Sequence, residues 1–331
     1  MDYLEALRQS PYIKEKKLDN HISSFNFTRK AFWGKHWSNI SIKARGLFID
    51  TRFHRVKARS YDKFFHVGER RDTELSQVAN WDDYGLLVYV KENGYLGICS
   101  WEEDGSLFCA SKSTTEGWFA QRFREILIET LGDKVQDFNQ ALRNENLSAV
   151  FEVIDPENDA HIIEYDKPQV ILLDLIYNEW EPGEIEFVNK SYEILEMWGY
   201  RFGLRIKEQV CCLYNYDDLV NFYNMVTALG YKYLGRYVEG FVIEDITGKH
   251  HAKIKTEYYT FWKQMRKAIV CARQNKNFND EWIDKDSHPE FSDLISFIEK
   301  KASEYYQMYE TDIGVIELRH MWEEYNDFCN Q

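Results

Sequence analysis

The chain has 331 residues, of which 44% are hydrophobic and 16% aromatic, and this is enough to build a large packed core. Its 41 basic and 55 acidic residues give a net charge of −14, which argues against a protein that coats nucleic acid non-specifically. No apolar run approaches the roughly 20 residues of a membrane-spanning helix, and the N-terminus lacks the pattern of a signal peptide. We therefore expect a soluble chain with no membrane partner.

The cysteines show neither paired CxxC spacing nor the framework of a small disulfide-rich domain. This pattern indicates reduced thiols and a cytoplasmic location. The six cysteines are Cys99, Cys109, Cys211, Cys212, Cys271 and Cys329.

Positive charge is concentrated in two segments, residues 43–71 and 249–273. The first holds nine Lys or Arg against three acids and the second seven against one, so each has a local charge of +6. If the segments converge in the fold, they form a site for a polyanion. The alternative is that each is a solvated face of its own, which is the usual fate of a charge cluster.

From about residue 42 to 255 the pattern predicts short strands with helices between them. Runs rich in β-branched or aromatic residues predict strands at 86–90, 149–154, 170–175 and 241–243. Apolar residues at helical spacing predict a helix from Phe119 to Leu131, with Ser113 and Glu116 spaced as a capping box before it.

After residue 255 the strand pattern stops. Helical spacing predicts helices at 256–274, 291–308 and 313–328, and residues 275–289 form a polar connection. The predicted fold class is therefore α+β, with a mixed first domain and a small all-α C-terminal domain.

The strand at 86–90 leads to Lys91 and a glycine-containing turn. Alternation puts Leu87, Tyr89 and Lys91 on one face, so the lysine arrives from an apolar approach. Desolvation and cationic neighbours can lower a lysine pKa far enough for the amine to act as a covalent nucleophile. The alternative is a surface lysine that opens a β-turn.

Two carboxylates lie among apolar strand residues. Glu152 alternates to the same face as Val150, and Glu239 to the same face as Phe241 and Ile243. A buried carboxylate needs a cation, a metal or a ribose hydroxyl as its partner. Either glutamate could instead be an edge residue paired with a surface lysine.

Alternation also points Lys253 and Lys255 to the same side of a strand. Two ammonium groups on one face repel each other unless an anion such as phosphate lies between them. A strand edge defended by lysines is the competing explanation.

These segments occur in an order that resembles the covalent nucleotidyltransferase superfamily of ATP-dependent ligases and capping enzymes. In that superfamily the lysine of a Lys-x-[Asp/Asn]-Gly motif, here 91–94, takes up AMP or GMP. Within it, the chain looks most like the RNA ligase 1 family of phage-type and fungal tRNA-repair ligases. Residues 43–48 are similar to the Arg-Gly signature of that family, and residues 58–69 to its Lys-Phe-Phe-Asn element. The likeness covers roughly residues 40–260.

The resemblance implies a nucleotidyltransferase domain over 1–258, with ATP-grasp-like antiparallel sheets and flanking helices, and a helical C-terminal domain over 259–331. It implies that Lys91 forms the lysyl-adenylate and that Glu152 and Glu239 also hold Mg²⁺ or Mn²⁺. The nucleotide-binding or phosphate-binding residues that it implies are Arg45, Lys63, Phe65, Glu92, Gly94, Lys112, Glu152, Glu239, Lys253, Lys255 and Tyr259.

Two further features of the family bear on the site. Residues 155–165 look like its loop and strand that stack against adenine. Asn93 departs from the Asp that many members carry, which puts the role of this position in doubt. The two +6 segments would then converge, and their charge would lower the pKa of Lys91.

The function implied by the resemblance is ATP-dependent joining of RNA 5′-phosphate and 3′-hydroxyl ends through lysyl-AMP and RNA-adenylate, in the repair of broken tRNA or other RNA. The alternatives are another polynucleotide ligase or nucleotidyltransferase, of DNA ligase or capping type, and a catalytically inactive nucleic-acid-binding relative. DNA ligases and capping enzymes follow the lysine pair with a strand-rich OB-fold, whereas this tail has helical spacing. No GxxxxGK[ST] motif occurs, so end-healing chemistry would come from a separate polynucleotide kinase/phosphatase.

Overall fold

The computed structural model describes residues 3–19, 21–179, 187–228, 230–273, 292–309 and 314–329. The helices are α1 Tyr3–Gln9, α2 Arg29–Trp33, α3 Leu75–Val78, α4 Trp118–Leu131, α5 Val135–Glu145, α6 Tyr192–Phe202, α7 Tyr216–Val226, α8 Glu257–Arg273, α9 Ser292–Tyr309 and α10 Val315–Cys329. Within these ranges, every helix is too short or too polar to cross a membrane.

The strands are β1 Ile13–Lys17, β2 Ile22–Phe27, β3 Leu47–Asp50, β4 Arg55–Arg59, β5 Phe65–His66, β6 Leu86–Lys91, β7 Tyr95–Trp101, β8 Leu107–Ala110, β9 Leu147–Ile154, β10 Gln169–Tyr177, β11 Arg205–Ile206, β12 Gln209–Leu213, β13 Gly240–Asp245 and β14 His251–Lys255. They form three sheets. The first sheet has the order β1-β2-β3-β4, the second β11-β10-β9-β7-β8, and the third β12-β6-β13-β14-β5. All pairings are antiparallel except β10 with β11 and β14 with β5.

The second sheet supplies the largest core. On β9, Phe151 and Val153 point to the face covered by α4, where Phe123 packs against them. Burying a side chain of this size contributes about 1.5–3 kcal/mol. The helix was predicted at the right place, but the predicted capping box is wrong. Gly117, with φ of 88°, precedes the first helical residue, because the preceding segment turns on itself instead of entering the helix.

The third sheet carries the end of β6 to the site. Val88 and Val90 pack in a core with Phe241 of β13, whereas Tyr89 and Lys91 belong to the opposite face. The alternation predicted for β6 is therefore confirmed. The strand continues to Lys91 itself, which pairs with Gly240.

Two strands were missed near the N-terminus. β1 and β2 pair antiparallel at the edge of the first sheet. The sequence of β1 is IKEKK, which is rich in charge because an edge strand is mostly exposed, so it lacks the apolar signal of a core strand.

The three helices expected after residue 255 are α8, α9 and α10, and no strand follows β14 among the described residues. The polar connection at 275–289 lies outside the described residues. The division of domains at 258/259 stays a prediction, and α8 begins just before it. A buried cluster joins residues 162–163 to α8 and α10, and its members are Ile162, Ile163, Tyr259, Phe261, Trp262, Met265, Leu318 and Met321.

The described cysteines are consistent with the expected reduced thiols. Cys99, Cys109, Cys211 and Cys212 are free. The cytoplasmic location stays a prediction.

Candidate active site

Lys91 stands at the end of β6 beside a carboxylate that it shares with a second lysine. The Nζ atoms of Lys91 and Lys255 each lie 2.9 Å from Oε1 of Glu239. The Lys91 side chain is 21% exposed and that of Glu239 only 5%. One buried oxygen therefore bridges the two ammonium groups.

Glu239 does not follow the alternation of the strand that comes after it. We expected it on the face of Phe241 and Ile243, and this is wrong, because those side chains lie in the core while the carboxylate meets Lys91. β13 begins at Gly240, which has φ of 157°, and a Cβ there would lie 2.0 Å from the carbonyl oxygen of Ile254. Alternation is lost at this glycine.

The expectation that neighbouring cations lower the pKa of Lys91 is also wrong. Burial favours the neutral amine, but the charges of Glu239 and Glu152 outweigh burial and raise the pKa of Lys91 above its ordinary value. Burial would raise the pKa of Glu239, yet Lys91 and Lys255 lower it to about 2. The lysine and the glutamate thus hold each other in their charged forms.

The turn after Lys91 brings Glu152 to the site. Gly94 donates its backbone N–H to Oε1 of Glu152 at 2.7 Å. A Cβ at Gly94 would lie 2.1 Å from the carbonyl oxygen of Val153, so glycine is needed for close approach and not for a positive φ. Burial raises the pKa of Glu152 to about 7, and the Lys91 charge opposes this rise.

Asn93 holds the turn after Lys91 in place through three hydrogen bonds. Its side-chain amide donates to Oε2 of Glu239 at 3.0 Å, and its side-chain oxygen accepts from the backbone N–H of Ile163 at 3.3 Å. Its own backbone N–H donates to the hydroxyl of Tyr165 at 2.7 Å. An asparagine supplies both a donor and an acceptor here, which an ionised aspartate cannot do.

The Lys91 amine donates to the backbone carbonyl of Glu92 at 3.4 Å, but the Glu92 side chain has other partners. Its carboxylate accepts from the Tyr165 hydroxyl at 2.8 Å and from Nη2 of Arg205 at 2.6 Å. Its assignment as a nucleotide-binding residue stays a prediction. The sequence reading missed the support from Tyr165 and Arg205, since only the fold brings β11 beside this turn.

The segment expected as a loop and strand beside adenine is a loop. Over residues 155–165 the only ladder contact is a single bridge between Asp155 and Asp159, so the predicted strand is absent. Asp155 is buried and bonds to Nε of Arg122 at 2.6 Å, which anchors the loop to α4.

The two basic segments converge because β5 pairs with β14. His66 lies opposite Lys253 in this parallel pairing. Burial lowers the pKa of Lys253 to about 7, with further lowering by Lys63, Lys91 and other cations. Burial likewise lowers the pKa of Lys63 to about 8, and Arg45 adds to this effect. Like charges so close together favour an anion between them.

Aromatic rings flank these cations. Lys63 Nζ lies 3.8 Å from the centre of the Phe65 ring, and Lys255 Nζ lies 4.1 Å from that of Tyr259. Lys112 stands further out, exposed, with its Nζ 4.5 Å from the centre of the Phe27 ring. Its charge still reaches the site, because it contributes to lowering the pKa of Lys63.

The site therefore combines the amine of Lys91, two carboxylates and a set of cations where the end of β6 meets β9 and β14. A model of a family described as RNA ligase matches residues 43–259. The chain belongs to this RNA ligase family. The match begins at the first basic segment and ends at Tyr259, so it includes the candidate site residues.

Named members with similar sequences come from fungi. The tRNA ligase of Candida albicans is 24% identical over 368 aligned positions, covering 96% of this chain and 43% of that protein. The tRNA ligase 1 of Schizosaccharomyces pombe is 23% identical over 318 positions, covering 86% of this chain and 38% of that protein. The chain thus spans about two fifths of the length of these curated relatives.

The fold is also similar to that of solved structures. An archaeal ATP-dependent RNA ligase is similar with a TM-score of 0.56 and 17% identity, covering 97% of this chain and 73% of that chain. This likeness confirms the predicted α+β fold with antiparallel sheets.

Proposed function

We propose that this chain is an ATP-dependent RNA ligase, which joins a 5′-phosphate to a 3′-hydroxyl through a lysyl-AMP on Lys91. The observation that carries the proposal is the contact of the Lys91 and Lys255 amines with one oxygen of Glu239, beside Glu152. Membership of the RNA ligase family supports the same reaction. The helical tail favours it over a DNA ligase or capping enzyme.

The reaction has three displacements at phosphorus. Lys91 Nζ, after losing a proton, bonds to the α-phosphorus of ATP, and pyrophosphate leaves. An oxygen of the RNA 5′-phosphate then bonds to that phosphorus, and the broken N–P bond returns the amine. Finally the RNA 3′-oxygen loses its proton and bonds to the 5′-phosphorus, and AMP leaves. Each displacement needs negative charge offset at a phosphate, which is the role we assign to Arg45, Lys63 and Lys253.

The first displacement depends on the proton of Lys91. The amine is charged beside Glu239, so the attack requires that other hydrogen-bond donors take over the interaction with this carboxylate. Lys255 already contacts the same oxygen and Asn93 the other one. We infer that these two residues hold Glu239 while Lys91 turns to the phosphate.

Two carboxylates fit a magnesium ion, which proteins usually bind with one or two carboxylates together with phosphate oxygens and water. Glu239 and Glu152 would hold it. Mg²⁺ supplies positive charge at the phosphate oxygens when it is bound. These two carboxylates are a pair, and no group of three or more His, Cys, Asp or Glu side chains that could hold a metal occurs among the described residues.

We also propose a natural substrate and a cellular location for this chain. The two fungal relatives are named tRNA ligases, which supports broken tRNA as the RNA. We propose that 5′-phosphorylated ends come from a separate kinase/phosphatase and that the reaction takes place in the cytoplasm.

The test is covalent labelling with α-labelled ATP, followed by a joining assay with 5′-phosphorylated strands. The wild type should retain label after denaturation, and Lys91→Ala should retain none. Lys134→Ala, which removes an exposed lysine directly before the start of α5, serves as the control. Joining of RNA but not of DNA supports the proposal. A Lys91→Ala variant that is still labelled, or a wild type that joins only DNA, would overturn it.

A further inference from the structure

Two large aromatic side chains of α2 are exposed. Phe32 is 45% exposed and Trp33 71%. Thr28 caps the helix by accepting from the N–H of Ala31 at 3.2 Å, and Ala31 is fully buried. The short helix is thus anchored by its alanine, and its two rings remain outside.

These rings belong to a continuous series. The ring centres of Trp33 and Phe32 lie 5.2 Å apart, those of Phe32 and Trp37 6.4 Å, and those of Trp37 and Phe65 5.3 Å. The ring centre of Phe27 lies 5.0 Å from that of Trp37. We call these five residues the aromatic ladder. A contiguous apolar patch rimmed by polar groups is typical of a binding surface, whereas a single exposed ring is not.

The inner end of the aromatic ladder reaches the candidate active site. Phe65 belongs to β5, which pairs with the strand that carries Lys253. Lys63 Nζ lies 3.8 Å from the Phe65 ring centre and 5.5 Å from that of Trp37. The ladder thus leads from the proposed phosphate-binding cations to the outer surface.

The charge around the aromatic ladder is positive. Residues 20–49 contain no Asp or Glu, although the whole chain has a net charge of −14. The outer rim adds Lys112, whose Nζ lies 4.5 Å from the Phe27 ring centre. The Lys and Arg residues within 20–49 are Arg29, Lys30, Lys35, Lys43 and Arg45.

We propose that the aromatic ladder binds the single-stranded RNA segment that leads to the end being joined. Bases stack on Phe32 and Trp33, and the phosphates face the cations of α2 and Lys35. Stacking on aromatic rings beside a basic groove is how proteins bind single strands without sequence preference. The identity of the ligand as RNA rests on the proposed function.

The test measures binding and chemistry separately. Trp33→Ala and Phe32→Ala are compared with Tyr200→Ala, which removes a ring that is 93% exposed on α6. The affinity for a labelled 5′-phosphorylated single-stranded RNA is measured by anisotropy, and adenylate formation is measured with ATP alone. Each ladder variant should bind RNA about tenfold more weakly and join it correspondingly less at limiting RNA. Adenylate formation should continue, and Tyr200→Ala should bind RNA as the wild type does.

Two further variants separate stacking from misfolding. Trp33→Phe keeps an aromatic face and should recover RNA affinity to within about twofold of the wild type. Arg29→Ala should reduce the dependence of log affinity on log salt by about 0.7 if it loses one phosphate contact. The proposal is overturned if Trp33→Ala and Phe32→Ala bind RNA with the affinity of the wild type. It is also overturned if their affinity falls no more than that of Tyr200→Ala. A wild type that binds RNA through the ladder but takes up no AMP would refute the proposed function alone.

Discussion

The side-chain amide of Asn93 donates a hydrogen bond to Oε2 of Glu239, whose other oxygen contacts Lys91 and Lys255. This pairing answers the doubt raised by the missing aspartate. In this chain Asn93, two positions after Lys91, donates a hydrogen bond to the carboxylate that Lys91 and Lys255 share. An aspartate at position 93 would instead place its carboxylate within hydrogen-bond distance of the Glu239 carboxylate.

We expect Asn93→Asp to lose stability as pH rises. The negative charge of Glu239 raises the pKa of the new carboxyl in the folded state. The protonated carboxyl therefore contributes its full stability only below the ordinary Asp pKa, and this contribution is lost as pH rises through the raised pKa. At pH 8 the free energy of unfolding should fall by about 1–3 kcal/mol, and less at pH 5. Urea unfolding at both pH values measures this. The exposed Asn80→Asp should change little, and equal stability of Asn93→Asp and wild type at pH 8 would contradict the prediction.

Glu152→Gln should stabilise the protein at alkaline pH. Burial raises the folded-state pKa of Glu152 to about 7 from 4.5, so the stability that its protonated form contributes is complete below 4.5 and is lost as pH rises through 7. Glutamine does not titrate and keeps an acceptor for the Gly94 N–H. At pH 8 we expect a gain of about 2 kcal/mol after allowing for partial exposure, and little difference at pH 4.5. Thermal unfolding at both pH values tests this, with the exposed Glu157→Gln as control. A variant no more stable than the wild type at pH 8 would refute it.

Binding of pyrophosphate should take up protons near neutral pH. Lys253, with a pKa lowered to about 7, is partly neutral at pH 7.5, and an adjacent polyanion raises that pKa again. Affinity should therefore fall as pH increases from 7 to 9. Calorimetry in buffers with different ionisation enthalpies counts the protons. The arginine of Lys253→Arg stays charged, so this variant should take up fewer protons than the wild type when pyrophosphate binds. Equal proton uptake by the variant and the wild type would contradict the assignment of the proton to Lys253.

Tyr165→Phe should loosen the turn that follows Lys91, the proposed nucleophile. The hydroxyl accepts from Asn93 and donates to Glu92, and both partners are buried. Loss of the hydroxyl leaves the Asn93 N–H and one carboxylate oxygen of Glu92 without this partner, which should cost about 1–3 kcal/mol and slow adenylate formation. The matched control is Tyr95→Phe, since the Tyr95 hydroxyl has no hydrogen-bond partner among the described residues. Similar losses in the two variants would show that the Tyr165 hydroxyl has no special role.

Many of the strands and helices around the site could be predicted from the pattern of apolar residues along the sequence. The alternation that delivers Lys91 and the stripe of α4 follow from apolar burial on one face of an element, whereas the continuous apolar runs of β9 and β10 follow from burial on both faces. The same rule failed at Glu239, because Gly240 interrupts the strand where β14 approaches most closely. It also missed β1, whose exposed edge leaves little apolar signal.

From local periodicity and the spacing of its motifs, the chain could be assigned its α+β class and its family resemblance, and that resemblance implied the proposed role of Lys91. Each of the patterns behind these assignments is formed by residues only a few positions apart in the sequence. Which charge governs Lys91 depended instead on distances between residues far apart in sequence. Glu239, 148 positions away, lies 2.9 Å from the amine, nearer than the cations that composition had emphasised, and so the pKa of Lys91 rises where charge counting predicted a fall. Coulomb energy depends on separation in space, and only folding sets that separation.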